Sequence, residues 1–142
     1  MLLLERYVTE MEQDLKVDAF NIKEVQLRLP AIKHKWTARL IRHKIEINTL
    51  TKDKEKKRKE ISAAIIQQSP IKITEFTADK TAESSTALKE MDEKIGEIKM
   101  IIELLEKSEK TFSSMTYDIK NMIELQKLEQ LWNLTLEPID TW

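Results

Sequence analysis

The sequence contains no cysteine, one glycine and three prolines among 142 residues. The absence of cysteine excludes disulfide bonds, thiolate metal sites and a cysteine nucleophile. A single glycine excludes a glycine-rich phosphate loop, a dinucleotide fingerprint and a nucleophile elbow, because each needs several positions without a Cβ atom. We therefore expect no nucleotide-driven chemistry, and predict neither an enzyme nor a bound cofactor.

Long apolar runs are also missing. The opening MLLLERY is apolar for four residues before Glu5 and Arg6, so it lacks the basic start and longer apolar core of a signal peptide. No stretch approaches the ~20 apolar residues of a membrane span. We expect a cytoplasmic protein without membrane contact, in agreement with the lack of cysteine.

Aromatic residues make up only 6% of the chain, whereas 35% of its residues are charged and 41% are hydrophobic. With so little glycine and proline, this mixture favours long helices over turns and sheets. We predict an all-α protein in which long antiparallel helices form a bundle or coiled coil. Residues 1–142 are interpreted as one domain, with N-terminal helices over 1–68, a connector over 69–85 and C-terminal helices over 86–142.

The N-terminal part predicts two helices. Asn21 and Glu24 resemble a capping box at the start of the second, in which the short side chain accepts from free amides and the carboxylate reaches back. The first helix spans about Leu2 to Lys16, and its apolar stripe comprises Leu4, Tyr7 or Val8, Met11 and Leu15.

The second helix has a coiled-coil rhythm, with a seam residue every three or four positions. The seam becomes basic at Lys54 and Lys57, where packing on an apolar stripe would be costly. Pro30 lacks a backbone donor, so the chain either kinks there or begins a new helix with Pro30 in its first turn. The seam residues are Ile22, Val25, Leu29, Ile32, Trp36, Leu40, His43, Ile47, Leu50, Lys54, Lys57, Ile61 and Ala64.

Residues 69–85 interrupt this rhythm with Pro70, a short β-prone alternation and clustered Ser and Thr. Ser84 or Ser85 can cap a third helix, which should run antiparallel to the second and either continue or bend near residues 111–114. Gly96 within it indicates a close approach between helices. Its seam comprises Leu88, Met91, Ile95, Ile98, Ile102, Leu105, Glu109, Phe112, Met115, Ile119, Met122, Gln126 and Glu129.

No arrangement of side chains favours a metal site. His34 and His43 are nine residues apart, about half a turn out of phase on a helix. We expect His43 to be packed or hydrogen-bonded on the seam, and we assign Trp36 to the core rather than to base stacking. The acidic cluster over 90–97 lacks the Glu-x-x-His motif of di-iron sites and is interpreted as a solvated face.

The net charge of −1 conceals two halves of opposite sign. Residues 28–59 hold 12 Lys or Arg against three acidic residues, a net +9, whereas residues 83–142 hold seven against 13, a net −6. The densest stretch is TKDKEKKRKE over 51–60, in which six of ten residues are basic. Such a run is either a solvated helix face or a surface for a polyanion.

Binding of single-stranded nucleic acid is the function that these residues favour. Proteins hold such strands by presenting Lys and Arg along a path and by stacking bases on aromatic rings. Around the second helix the cations form a collar rather than a stripe, which suits a flexible strand better than a duplex. The candidate DNA-binding residues are Lys35, Arg39, Arg42, Lys52, Lys54, Lys56, Lys57, Arg58 and Lys59.

Two segments carry a family resemblance. QDLKVDAFNIKEVQLRLPAIKHKW over 13–36 and MTYDIKNMIELQKLEQL over 115–131 resemble an amino-terminal segment and the T-Y-x-I-K-N-x-I-E-x-x-K signature of the UvsY family of phage recombination mediators. The resemblance implies a ring-shaped homo-oligomer, a hexamer or a heptamer, in the host cell cytoplasm. It also implies binding to single-stranded DNA and loading of a RecA-like recombinase onto strands occupied by single-strand binding protein, in recombination and repair.

The C-terminal LWNLTLEPIDTW is apolar and marks either a subunit contact or intrachain packing. In the resembled family the carboxy-terminal part is associated with oligomerisation. The interface residues implied are Tyr117, Ile119, Met122, Ile123, Leu128, Leu131 and Trp132. The alternative function is a non-catalytic coiled-coil structural or adaptor protein whose basic half pairs with its acidic half.

Overall fold

A computed structural model describes residues 2–136, and within this range the chain contains helices and no strand. Helix α1 spans Leu2–Asp14, α2 spans Ile22–Gln68, α3 spans Glu75–Glu83 and α4 spans Thr86–Leu136. At ~1.5 Å per residue, α2 and α4 are each more than about 70 Å long. The prediction of an all-α protein is confirmed.

The long helices α2 and α4 lie side by side in opposite directions. Lys33, early in α2, donates to Thr116 Oγ1 at 3.1 Å, whereas Lys54, late in α2, contacts Asp92 near the start of α4. Residues near the end of α2 thus contact residues near the beginning of α4, and residues near the beginning of α2 contact residues further along α4. The predicted antiparallel arrangement is confirmed.

The apolar seam forms a core along this helix pair. Every predicted seam residue of α2 from Ile22 to His43 is buried. Trp36 is 2% exposed and stacks on Phe112 of α4 with ring centroids 6.3 Å apart, which confirms its assignment to the core. The buried hydrophobic residues of α4 are Leu88, Ile95, Ile98, Ile101, Leu105, Phe112, Met115 and Ile119.

Four predicted seam positions are wrong by one residue, among them Ala64, which is exposed while Ile65 beside it is partly buried. Ile101 is buried in place of Ile102, and Ser108 in place of Glu109, which is exposed. In α2 the predicted seam residue Lys57 is exposed, and Arg58 is partly buried in its place. A straight α-helix drifts by ~20° per heptad relative to a strict coiled-coil repeat, so a constant rhythm loses phase along helices of this length.

Both long helices continue through the positions where interruptions were considered. Pro30 lies inside α2, so the alternative of a new helix starting there is wrong. Leu29 and Ile32 beside it are buried, and this packing offsets the backbone hydrogen bond that proline cannot donate. Helix α4 passes through residues 111–114 without a break. A Cβ atom placed on Gly96 would meet nothing within 4 Å, so the predicted close helix approach is also wrong.

The predicted helix starts are partly confirmed. Asn21 is the N-cap of α2 but forms no capping box, because its side chain turns back into the preceding loop and accepts from the Asp18 amide at 2.7 Å. Its backbone lies outside the extended region that is usual for side-chain capping. Of the two predicted caps, Ser84 and Ser85, it is Ser85 that caps α4, since its Oγ accepts from the Leu88 amide at 3.3 Å.

The connector over 69–85 contains a helix, α3, that was not predicted from the sequence. Thr74 caps α3 by accepting from the Thr77 amide at 3.3 Å. Ala78 and Ala82 are fully buried, and such small side chains let α3 pack closely on its neighbours. The connector therefore folds back onto the end of α2.

Helix α1 packs across the middle of α2. Its Tyr7 hydroxyl lies 3.0 Å from His43 Nε2, and His43 Nδ1 lies 2.9 Å from Glu46 Oε2. A carboxylate can only accept, so Nδ1 donates to Glu46. His43 is thus hydrogen-bonded on the seam as predicted. Within residues 2–136 no cluster of three or more potential ligands could hold a metal ion. None of the described helices is long and apolar enough to cross a membrane.

Candidate nucleic-acid interface

Two of the candidate DNA-binding cations hold α1 on α2. Lys35 Nζ lies 3.1 Å from Glu10 and 2.6 Å from Asp14, and Arg39 donates to Glu10 at 2.6 Å. The same two cations lie over the face of Trp36, at 5.0 and 4.7 Å from its ring. The Arg39 hydrogen bond lowers the pKa of Glu10 despite partial burial. These cations stabilise the packing of α1.

Two further candidates connect α2 with α3 and α4. Lys54 contacts Asp92 of α4 at 2.5 Å and Glu83 of α3 at 3.7 Å. Arg58 lies 3.2 Å from Asp79 of α3 and also pairs with Glu55 one turn earlier in α2. Both basic side chains are 23% exposed. An unpaired cation on the seam would be costly, but carboxylates from the neighbouring helices surround both of these side chains.

The hydrogen bond with Asp92 raises the pKa of Lys54, and the negative charge of Glu83 adds to the effect. Glu55 raises the pKa of Arg58 in the same way, with smaller contributions from Asp79 and Glu83. Both groups are therefore held in their charged form, and each charge already has carboxylate partners within the chain.

The remaining candidates are exposed. Lys52, Lys56 and Lys59 lie about half a helical turn away from Lys54, so they occupy the outer face of α2. Lys57 and Arg42 are exposed as well. None of these five has a carboxylate within 4.0 Å among residues 2–136. Their charges are available to a ligand from solution.

A depression between α2 and α4 brings one more cation to this region. Lys56, Lys57 and Lys94 line it together with three carboxylates, so the depression itself is not uniformly basic. Lys94 was missed in the sequence reading because it belongs to the acidic half of the chain. Its position beside Lys56 and Lys57 depends on the antiparallel register of α2 and α4, in which Lys54 lies opposite Asp92.

The residues predicted at a subunit interface fall into two groups. Ile119 is 2% exposed within the intrachain core, and Met122 and Ile123 pack partly against that core. Tyr117, Leu128, Leu131 and Trp132 are each at least 60% exposed. Residues 127–134 of α4 are all exposed. Residues 137–142 of the apolar tail lie outside the described residues.

A comparison with known protein families shows which family the chain matches. The family model described as recombination, repair and ssDNA binding protein UvsY matches residues 10–130, which is most of the chain. The chain belongs to the UvsY family. This confirms the resemblance carried by the segments 13–36 and 115–131, and places the chain in a family of recombination, repair and ssDNA-binding proteins. Comparisons with curated proteins and with solved structures found no match.

Proposed function

We propose that this UvsY-family protein is a recombination mediator that binds single-stranded DNA through the outer face of α2. It helps to load a RecA-like recombinase onto strands covered by single-strand binding protein in the host cell cytoplasm. The observation that carries the proposal is the row of exposed lysines, Lys52, Lys56 and Lys59, beside Lys57, none of which lies within 4.0 Å of a carboxylate among the described residues. Such cations gain affinity for phosphates by releasing the counterions that surround a strand.

The candidate cations divide into two roles in this proposal. Arg42, Lys52, Lys56, Lys57 and Lys59 contact phosphates. Lys35, Arg39, Lys54 and Arg58 are positioning residues, because their contacts with α1, α3 and α4 hold α2 in place. The second group affects DNA binding through the fold, and its replacement therefore lowers stability as well as affinity.

The exposed end of α4 is the proposed subunit interface. Leu128, Leu131 and Trp132 lie close together on one part of this helix and expose 60–65% of their surface. Contiguous apolar surface of this kind is costly in water and is typical of a protein contact. We propose that it joins protomers in a ring, so that residues 1–68 bind DNA and residues 86–142 oligomerise within one domain.

A second candidate function rests on the ion pairs between the halves of the chain. Lys44 pairs with Glu106 at 3.4 Å, and Lys54 with Asp92, so the basic and acidic helices are complementary within one protomer. A structural or adaptor protein would use the same complementarity between protomers and would have no need for DNA. Its self-association would weaken as salt is added.

A gel-shift titration separates the two functions. A labelled single strand is titrated with the protein, first alone and then with an excess of unlabelled duplex. The mediator retards the single strand and resists the duplex, because a flexible strand can follow cations on a curved surface. Absence of any retardation at low salt would refute the mediator and favour the adaptor. Equal competition by the duplex would refute the preference for single strands.

A further inference from the structure

Phe76 is a large aromatic side chain that the fold does not use. It lies in the first turn of α3 and is 68% exposed. The Nζ atom of Lys80, one turn later, lies 4.7 Å from the centre of the Phe76 ring. This pair combines an accessible π-face with a cation, the two elements that sequence-tolerant proteins use to hold a single strand.

The packing of α3 leaves this pair on the exposed side of the helix. Helix α3 is held on α2 by Asp79, which contacts Arg58, and it packs through the buried Ala78 and Ala82. On a helical projection Phe76 and Lys80 lie beside Asp79, on the side away from both alanines. They therefore lie on the outer face of α3, away from its contact with the core.

Glu55 of α2 lies close enough to both α3 and the outer lysine row to be influenced by charges of each. The Arg58 hydrogen bond is the main cause of the lowered pKa of Glu55. Lys59 lowers that pKa further, whereas Asp79 of α3 raises it. Glu55 thus lies near both α3 and the outer lysine row. Helix α3, which carries Phe76 and Lys80, is held beside the part of α2 that bears this row through the contact of Asp79 with Arg58.

We propose that Phe76 is a stacking platform for a base of single-stranded DNA and that Lys80 contacts the adjoining phosphate. The inference rests on the proposed function, and it adds a base contact to a surface that otherwise offers only charge. A protein partner would instead need a contiguous apolar patch, whereas the surface neighbours of Phe76 on α3, three and four residues along, are Asp79 and Lys80.

Fluorescence anisotropy with two labelled oligonucleotides tests the proposal. One is a single-stranded DNA, and the other is a backbone of equal length without bases. The variants are Phe76→Ala, Phe76→Tyr and a control, Phe20→Ala, which removes a 99% exposed ring from the loop between α1 and α2. Circular dichroism and light scattering of each variant show whether its helices and particle mass are unchanged.

We expect Phe76→Ala to weaken binding of the DNA by about 5- to 100-fold, as for other stacked bases, and to leave the abasic strand unaffected. Phe76→Tyr and Phe20→Ala should bind like the wild type. Unchanged DNA affinity in Phe76→Ala would overturn the inference alone. An equal loss of affinity for both oligonucleotides would also overturn it. A changed particle mass would overturn it as well, because Phe76 would then be a subunit contact. If the wild type bound neither oligonucleotide, the proposed function would fail first and the inference with it.

Discussion

Lys54 Nζ lies 2.5 Å from Asp92 Oδ1, across the contact between the two long antiparallel helices. Lys54 continues the line of buried apolar residues along α2, so its charge faces the neighbouring helices instead of water. The pairing explains how the densest basic segment of the chain can also be part of the helix contact. One lysine of that segment holds the fold, while its neighbours remain exposed.

Replacing Lys54 should therefore affect stability more than replacing the lysine two positions later. We expect Lys54→Ala to lower the free energy of unfolding by about 1 kcal/mol, because it removes contacts with both Asp92 and Glu83. Lys56→Ala, on the exposed face, should change it by less than ~0.5 kcal/mol. Urea unfolding followed by circular dichroism measures both. Equal effects of the two substitutions would show that the contact with Asp92 contributes nothing to the free energy of unfolding.

Gly96→Ala should stabilise the protein by about 1 kcal/mol. Glycine in a helix interior is less favourable than alanine by this amount, and the added methyl group meets no atom within 4 Å. Thermal unfolding of the variant at a fixed protein concentration gives the shift in Tm. A lower Tm would mean that another molecule, such as a second protomer, approaches Gly96.

The sequence predicted most of the fold because the local signals agree with the final packing. The spacing of residues from Ile22 to His43 identified the buried face of α2, and Ser85 identified the start of α4. The small helix α3 was missed because its buried residues are two alanines, whose burial depends on long-range packing against α2 and α4. The seam shifted at Ile101 and Arg58 because helical drift accumulates with length.

The candidate site was predictable as a segment but not residue by residue. Composition distinguishes the basic half of the chain, and all nine candidate cations lie on α2. Which of them carry an unpaired charge depends on carboxylates distant in sequence, such as Asp14 for Lys35 and Asp92 for Lys54. Those contacts follow from tertiary packing, and no spacing rule in the sequence contains them.

The contact between α1 and α2 should weaken in acid. The Arg39 hydrogen bond lowers the pKa of Glu10 below its ordinary value of 4.5, so the folded chain binds this proton less readily than the unfolded chain. The stabilisation by this contact is complete above pH 4.5 and is lost as the pH falls through the lowered pKa of Glu10. The difference in unfolding free energy between wild type and Glu10→Gln should thus be largest near neutral pH and shrink in acid. Urea titrations across this range measure it, and a difference independent of pH would contradict the prediction.

Oligomerisation should depend on the exposed end of α4. Truncation after Gln126 removes Leu128, Leu131 and Trp132 but leaves the described core intact, so we expect a lower particle mass with little loss of helical packing. Light scattering at several protein concentrations measures the mass. A matched control is Leu27→Ser, which changes an 84% exposed leucine on α2. An unchanged mass after truncation would move the interface elsewhere.

The most direct test of the DNA-binding surface is the salt dependence of binding to single-stranded DNA. One variant replaces Lys52, Lys56, Lys57 and Lys59 with Ala. Its control replaces four exposed lysines of α4, Lys89, Lys99, Lys110 and Lys120, and so changes the net charge equally. Circular dichroism of both variants shows whether the helices are retained.

For single strands the slope of log affinity against log salt is about −0.7 per neutralised phosphate. We predict that the α2 variant binds more weakly and with a slope flattened by up to about 2.8, while the control keeps the slope of the wild type. An α2 variant with the wild-type slope, or a control flattened to the same extent, would contradict the assignment of DNA binding to the outer face of α2.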